Sequence, residues 1–376
     1  MKVLVAIDSF KGSLSSLEAG LAVKEGIKDL CEVVVKPVAD GGEGSVEALC
    51  DALGGRYIDI MAQNPLGIQI LARYAIANDL AIMEMASTSG LTLIQKEQRD
   101  PLKTSTYGFG TMIKDAINKG ARKFIIGIGG SATNDAGTGM LSALGFEFYD
   151  ESGNLLKGVG EDLIKISKIS TKNAMPTLKE CEFLIACDVD NPLYGKNGAA
   201  YVYGPQKGAD GKTVKKLDEG LINFANVVSK EFGYDFSALE GAGAAGGLGF
   251  GFVSFLSATL KSGIHIITEE IGLEEEIKKA DLIITGEGKM DFQSSMGKTP
   301  TGVAKLAKKY NKPVIAFAGS VSPCAKECNS NGIDAFFGIL GEPISLEEAM
   351  RKDIASQNLK LTSNQAVRLF MLAQAK

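Results

Sequence analysis

Apolar residues run along the chain in two rhythms. Short apolar runs, VLVAI (3–7), EVVVKPVA (32–39), FIIGI (124–128), FLIA (183–186), ADLIIT (280–285) and PVIAFA (313–318), lead within two positions into glycine or acidic residues. That is the pattern of parallel strands buried on both faces. Between them the apolar positions recur every three or four residues. Val46, Leu49, Cys50 and Leu53 share one helix face, and so do Phe109, Met112, Ile113 and Ala116 in a helix expected from about Ser105 to Lys119. Ser15 with Glu18 three residues on is a capping box opening an earlier helix, and a charged helix is expected over Leu273–Lys279. Only around Ile68, Ile70, Ala72, Tyr74 and Ile76 does the period fall to two. With Asn78-Asp79 as a tight turn into LAIMEMA, that stretch predicts an antiparallel hairpin. The final third reads as helix, strand, strand, like the first 55 residues. The spacing therefore predicts an α/β chain in which residues 1–80 and 285–376 share one parallel sheet and an α/β domain, 81–284, is inserted.

Polar, glycine-studded loops follow the strands, where open α/β sheets bind ligands. DSFKGS (8–13) carries Lys11, and ADGGEG (39–44) carries Asp40 and Glu43, either able to hold a cation or a hydroxyl or simply to cap the next helix. GGSATNDAGTG (129–139) crowds Ser131, Thr133, Asn134 and Asp135 between glycines whose bare backbone can approach an anion. Asp188 and Asp190, two residues apart in an extended CDVDNP segment, point to one side and suit Mg²⁺, an ordinary Asx turn being the alternative. Lys207 sits in a glycine-flanked turn, and Glu287, Lys289 and Asp291 alternate just past a strand end. GAGAAGGLGFG (241–251) has no group for acid or base work, so it serves close backbone approach, to a ligand or to another element. Gly297-Lys298-Thr299 imitates the end of a Walker A loop, but Phe292 stands where its first glycine belongs; Thr299 as N-cap with Pro300 at N1 explains it better.

Composition narrows the chemistry. Lys and Arg total 40 against 45 Asp and Glu, a net charge of −5, which gives no reason to expect a nucleic-acid or membrane partner. The N-terminal apolar run is too short for a signal peptide or a span, so a cytoplasmic protein is expected. The 6 cysteines lack zinc or redox spacing and are expected to be reduced and mostly buried. The 1 histidine, His265, lies in the apolar SGIHII run and is expected to pack in a strand, which argues against a serine–histidine–acid triad or a multi-histidine metal site.

Taken together, DSFKGSLSS, PVADGGEG, GIGGSATNDAGTGM, CDVDNPLYG, GPQKGA, GAGAAGGLG and ADLIITGEGKMD, in this order from Val3 to about Gly319, resemble the bacterial glycerate kinase family of type I. The sequence departs from the family pattern at Ala136, where a glycine is expected, and at Lys289-Met290, where arginine and leucine are commoner. The resemblance implies a flavodoxin-like (Rossmann-like) parallel-sheet domain with a second α/β domain inserted and a ligand cleft between them. It implies an ATP-dependent kinase of D-glycerate that requires Mg²⁺ and gives 2-phosphoglycerate, with 3-phosphoglycerate as the alternative product and a homodimer as the candidate oligomer. Phosphoryl transfer needs backbone donors, cations and carboxylates rather than histidine or cysteine, which agrees with the loops. Lys11, Asp40 and Asp188 are the expected catalytic residues, and Asp188 and Asp190 the expected metal ligands. Ser9, Gly41, Gly42, Glu43, Gly129, Gly130, Ser131, Asn134, Asp135, Lys207, Glu287 and Lys289 are expected to bind glycerate or ATP. A flavin or nicotinamide oxidoreductase lacks its strand–GxGxxG–helix unit here, and a non-catalytic sugar-acid binder would not need five acidic loop residues.

Overall fold

The computed structural model describes residues 1–42, 44–295 and 298–374. The chain divides into two compact units, Met1–Gly54 with Ile264–Lys376, and Gly55–Gly263. The first unit opens with β1 (Lys2–Val5) and β2 (Glu32–Val35). The second holds β3 (Arg56–Gln63), β4 (Gln69–Ala77), β5 (Leu80–Glu84), β6 (Lys123–Gly127), β7 (Glu147–Tyr149), β8 (Lys168–Ser170), β9 (Glu182–Ala186) and β10 (Thr259–Lys261). The first unit is completed by β11 (Leu282–Met290), β12 (Val314–Val321) and β13 (Ala335–Gly338).

In the first unit the strands lie in the order β13-β12-β11-β1-β2, every pair parallel. Counted within the unit this is 2-1-3-4-5, the flavodoxin-like order, whose winding reverses between β1 and β11. The unbroken apolar runs are explained by burial from both sides: Val3, Leu4, Val5, Leu282, Ile283, Ile284 and Val314 are all 0% exposed. The helix Ser16–Ile27 opens with the expected capping box, Ser15 Oγ accepting from Glu18 N at 3.2 Å and the Glu18 carboxylate from Ser15 N at 2.9 Å. It packs against the long C-terminal helix Lys352–Gln374, and Gly26 is what permits this, since a Cβ there would lie 2.4 Å from the Lys360 carbonyl oxygen.

The second unit is built on a mixed sheet in the order β10-β9-β6-β5-β4-β3, parallel from β10 to β5 and antiparallel from β5 to β3. Asn78, at φ 56°, makes the turn between β4 and β5, as a residue tolerant of the left-handed region should. Phe124 and Phe183 on neighbouring strands stack at 4.7 Å. The helix Tyr107–Asn118 buries Phe109, Met112, Ile113 and Ala116 completely. Among the described residues no helix is long and apolar enough to cross a membrane.

Four expectations need correction. The boundaries at 80 and 284 move to 54 and 263, because β3 and β4 pair into the sheet of β5. At the return the helix Leu273–Lys279 belongs to the first unit, where Glu276 pairs with Lys2 at 3.3 Å. His265 lies not in a strand but in the helix Gly263–Glu270, with its side chain 63% exposed and 3.9 Å from Glu269; Ile264, Ile266 and Ile267 are that helix's buried face. Thr299 is not the N-cap: Lys298 is, and the Thr299 hydroxyl is used elsewhere, as described below. Cys50 and Cys328 are buried, whereas Cys31, Cys181, Cys187 and Cys324 are only half-buried.

Candidate active site

At the winding reversal of the first unit lies a cavity of 430 Å³. Its floor comes from the ends of β1 and β11. After Val5 the chain keeps pairing, Ala6 N with Ile284 O at 2.8 Å and Asp8 N with Gly286 O at 2.9 Å, and this carries Asp8 to the strand's carboxyl end. Lys11 and Phe10 follow in the loop, Asp40 enters from the loop after β2, and Glu287, Lys289 and Asp291 from β11 and its exit. Lys298 adds a third lysine, and Ile339, Leu340, Leu346 and Met350 form an apolar wall. Two glycines let these segments meet: a Cβ at Gly319 would lie 2.6 Å from Gly288 O, and one at Gly288 would lie 3.3 Å from Lys11 N.

The carboxylates of this pocket differ in environment. Asp8 is 6% exposed, its Oδ1 accepting from Ser9 N at 2.6 Å and its Oδ2 from the Thr299 hydroxyl at 2.5 Å. Burial pushes its pKa up to about 6 against the Thr299 bond, and the charge of Asp40 adds to the rise. Asp40 Oδ1 accepts from Gly42 N at 2.9 Å. Glu287 is pushed further, to about 7, first by burial and then by Asp8, while the Ser294 hydroxyl bonded to it opposes the shift. Its Oε1 is buried with no hydrogen-bond partner among the described residues. Lys11 is exposed, and Lys289 stands 3.3 Å from Asp291. Glu43 lies outside the described residues.

The loop after β6, in the second unit, is a different construction. Gly129 and Gly130 are exposed, Gly130 at φ 72°, and everything from Ser131 to Met140 is buried. Asp135, fully buried, gathers four donors: Thr106 N at 2.8 Å, Thr106 Oγ1 at 2.7 Å, and the Gly137 and Gly139 amides at 3.3 Å each. Burial raises its pKa against those bonds. Lys207 is 1% exposed and donates to Ser131 Oγ at 2.7 Å and to Thr133 O at 2.6 Å; burial pulls its pKa down to about 7, with Asp135 opposing. Both amide atoms of Asn134, with the hydroxyls of Thr133, Thr88 and Ser89, are buried without partners among the described residues. The glycine-rich segment 241–251 packs on this loop: a Cβ at Gly246 would lie 2.0 Å from Thr133 O, and Ala136 N donates to Gly246 O at 3.0 Å. Its glycines thus serve approach to another element.

Asp188 and Asp190 are both exposed, and Asp188 Oδ1 accepts from Gly263 N at 3.1 Å. Among the described residues no three His, Cys, Asp or Glu side chains converge as a metal cage. A Mg²⁺ ion that arrives on nucleotide phosphates and keeps its waters needs only one or two carboxylates, and this pair fits that mode.

Residues 3–371 match the glycerate kinase family. The chain is 45% identical to a glycerate 2-kinase of Escherichia coli strain K12 over 93% of both chains, and 42% identical to a glycerate kinase of Halalkalibacterium halodurans over 96% of this chain and 98% of that one. A solved structure described as that of a glycerate kinase 2 from Salmonella typhimurium LT2 superposes with a TM-score of 0.92 at 41% identity, covering 100% of each chain. The chain belongs to the glycerate kinase family. It is accordingly an ATP-dependent phosphotransferase, and the oxidoreductase and non-catalytic binding readings fall away. Within this glycerate kinase fold, the sequence pattern does not single out Asp8 or Ser294, and it gives Thr299 only a capping role and Lys298 none. Asp8 carried one signal, an acid directly after an apolar strand, but its bond to Thr299 spans 291 positions of sequence and leaves no local trace.

Proposed function

We propose that the protein transfers the γ-phosphoryl group of ATP to the C2 hydroxyl of D-glycerate, as a type I enzyme giving 2-phosphoglycerate and ADP. The observation that carries the site assignment is the cavity at the winding reversal, where carboxylates with raised pKa values face lysines and an apolar wall. Phosphoryl transfer is mostly positioning and charge compensation, and the pocket has the groups for both. Lys11 and Lys289 offset charge on the transferring group, Asp40 orients the acceptor hydroxyl, and Ser9, Gly41 and Gly42 lie against the substrate, the Ser9 and Gly42 amides holding the Asp8 and Asp40 carboxylates in place. In the second unit, exposed Gly129 and Gly130 offer backbone donors to an anionic substrate group, with Ser131 and Asn134 buried directly behind them and Lys207 holding that loop in shape. Asp188 and Asp190 would hold Mg²⁺, which when bound screens the phosphate charge. Glycerate-dependent ADP release in the presence of Mg²⁺ tests the activity, and phosphorus NMR of the product distinguishes the C2 from the C3 ester. A folded sample without such release would overturn the reading. Asp190→Asn should raise the Mg²⁺ requirement and lower turnover about a hundredfold, a loss of near 3 kcal/mol; unchanged metal dependence would make the segment structural.

A further inference from the structure

We propose that Glu287 takes the proton of the reacting glycerate hydroxyl, an inference that rests on the glycerate kinase reading above. Among the carboxylates of the pocket it has the acceptor geometry that suits the task. Asp8 has both oxygens occupied, by Ser9 N and Thr299. Glu287 has one side held by Ser294 and a buried Oε1 with no partner among the described residues. A buried acceptor without a donor costs free energy that an incoming hydroxyl would recover. Its backbone is also the best fixed: Glu287 lies inside β11, in parallel register with Ala318 of β12, so the carboxylate stands on a rigid strand and not on a loop.

The surroundings tune the group. From the loop after β1 it is faced by Asp8 and Lys11, and from the loop after β2 by Asp40. Lys289 near the end of its own strand and Asp291 just past it follow in the chain, Lys298 attracts its charged form, and the Cys328 thiol lies within its field. Burial dominates and places its titration at about 7, where a base is most effective at neutral pH. In the step itself the glycerate O–H bond breaks and the proton passes to Glu287 Oε1. The hydroxyl oxygen forms the new bond to the γ-phosphorus, the bond from that phosphorus to the β–γ bridging oxygen breaks, and the electron pair leaves with ADP. The protonated carboxyl then returns its proton to water.

The test is the pH profile of kcat/KM for the wild type, Glu287→Gln, Glu287→Asp and Asp40→Asn, with infrared difference titration of the carboxyl groups in the substrate-free protein. The expected result is an acid limb in the wild type that Glu287→Gln abolishes while lowering kcat about a hundredfold or more. Glu287→Asp should restore part of the rate, and Asp40→Asn should keep the limb. The infrared band of the carboxyl titrating at about 7 should vanish in Glu287→Gln while that of Asp8, at about 6, remains, a readout that needs no turnover. A wild type inactive on glycerate overturns the kinase reading itself. An active wild type whose Glu287→Gln variant keeps both the acid limb and a rate within tenfold overturns this inference alone.

Discussion

The pocket of the first unit and the loop after β6 in the second both sit at the carboxyl ends of parallel strands, both are rich in glycine, and both hold charged side chains. They use those charges in opposite ways. In the pocket, Lys11 is exposed, and Lys11 and Glu287 both line the cavity, Glu287 with one buried oxygen unpartnered among the described residues. In the loop, the Asp135 carboxylate and the Lys207 ammonium are turned inward and bonded to the chain's own Thr106, Gly137, Gly139, Ser131 and Thr133. The same motif vocabulary therefore accompanies charges that line a cavity in one place and charges bonded into the chain's own fold in the other, and what separates them is where the hydrogen bonds go.

Substitution can break this contrast. Lys11→Met should lower kcat/KM by about a thousandfold, near 4 kcal/mol, with the melting temperature unchanged because the side chain is exposed. Full activity in that variant would remove Lys11 from the chemistry. Asp135→Ala should act the other way, costing about 3 kcal/mol in urea unfolding, since four donors lose their acceptor inside the protein. A variant as stable as the wild type would show that the loop does not depend on that carboxylate.

The contrast also has a pH signature. Glu287 binds its proton up to about 7 in the folded protein against an ordinary value of 4.5, so between these values the folded state holds more proton than the unfolded one. Stability from this group is thus fullest below 4.5 and declines as pH rises toward 7. Lys207 is lowered to about 7 from 10.5, so above 7 the unfolded state holds more proton and stability rises with pH toward 10.5. Urea midpoints measured against pH should show the first slope vanish in Glu287→Gln and the second in Lys207→Met. The smallest effect concerns Ala136, which stands at φ 50° where the family pattern has glycine. Ala136→Gly should stabilise by about 0.5 kcal/mol, relief of the left-handed strain exceeding the added chain entropy, and a lower melting temperature would contradict that.

Much of this was legible in the sequence, for a physical reason. A strand buried on both faces must be apolar throughout, so VLVAI and FIIGI announced themselves, and the capping box at Ser15 is a purely local device. The misreadings share another cause. Ile264, Ile266 and Ile267 look like a strand because a short helix with one buried face also concentrates apolar residues around a polar one. The expected boundary at 80 cuts the β4–β5 hairpin: that turn is local, but the parallel pairing of β5 with β6, Leu80 beside Lys123, which carries these strands into the second unit, leaves no local trace. Nothing in GAGAAGGLGFG tells that its close neighbour is the Thr133 carbonyl. Lys207 reads as an ordinary loop lysine until its burial is known.

The most direct test of the account is a crystal structure with D-glycerate and a non-hydrolysable ATP analogue bound. The account predicts the reacting hydroxyl in the first unit's cavity, within about 2.6–3.2 Å of the Glu287 carboxylate, with Lys11 beside the γ-phosphate and the Asp135 and Lys207 bonds unchanged. Glycerate bound away from that cavity, or a ligand displacing the Lys207 ammonium from Ser131, would contradict it.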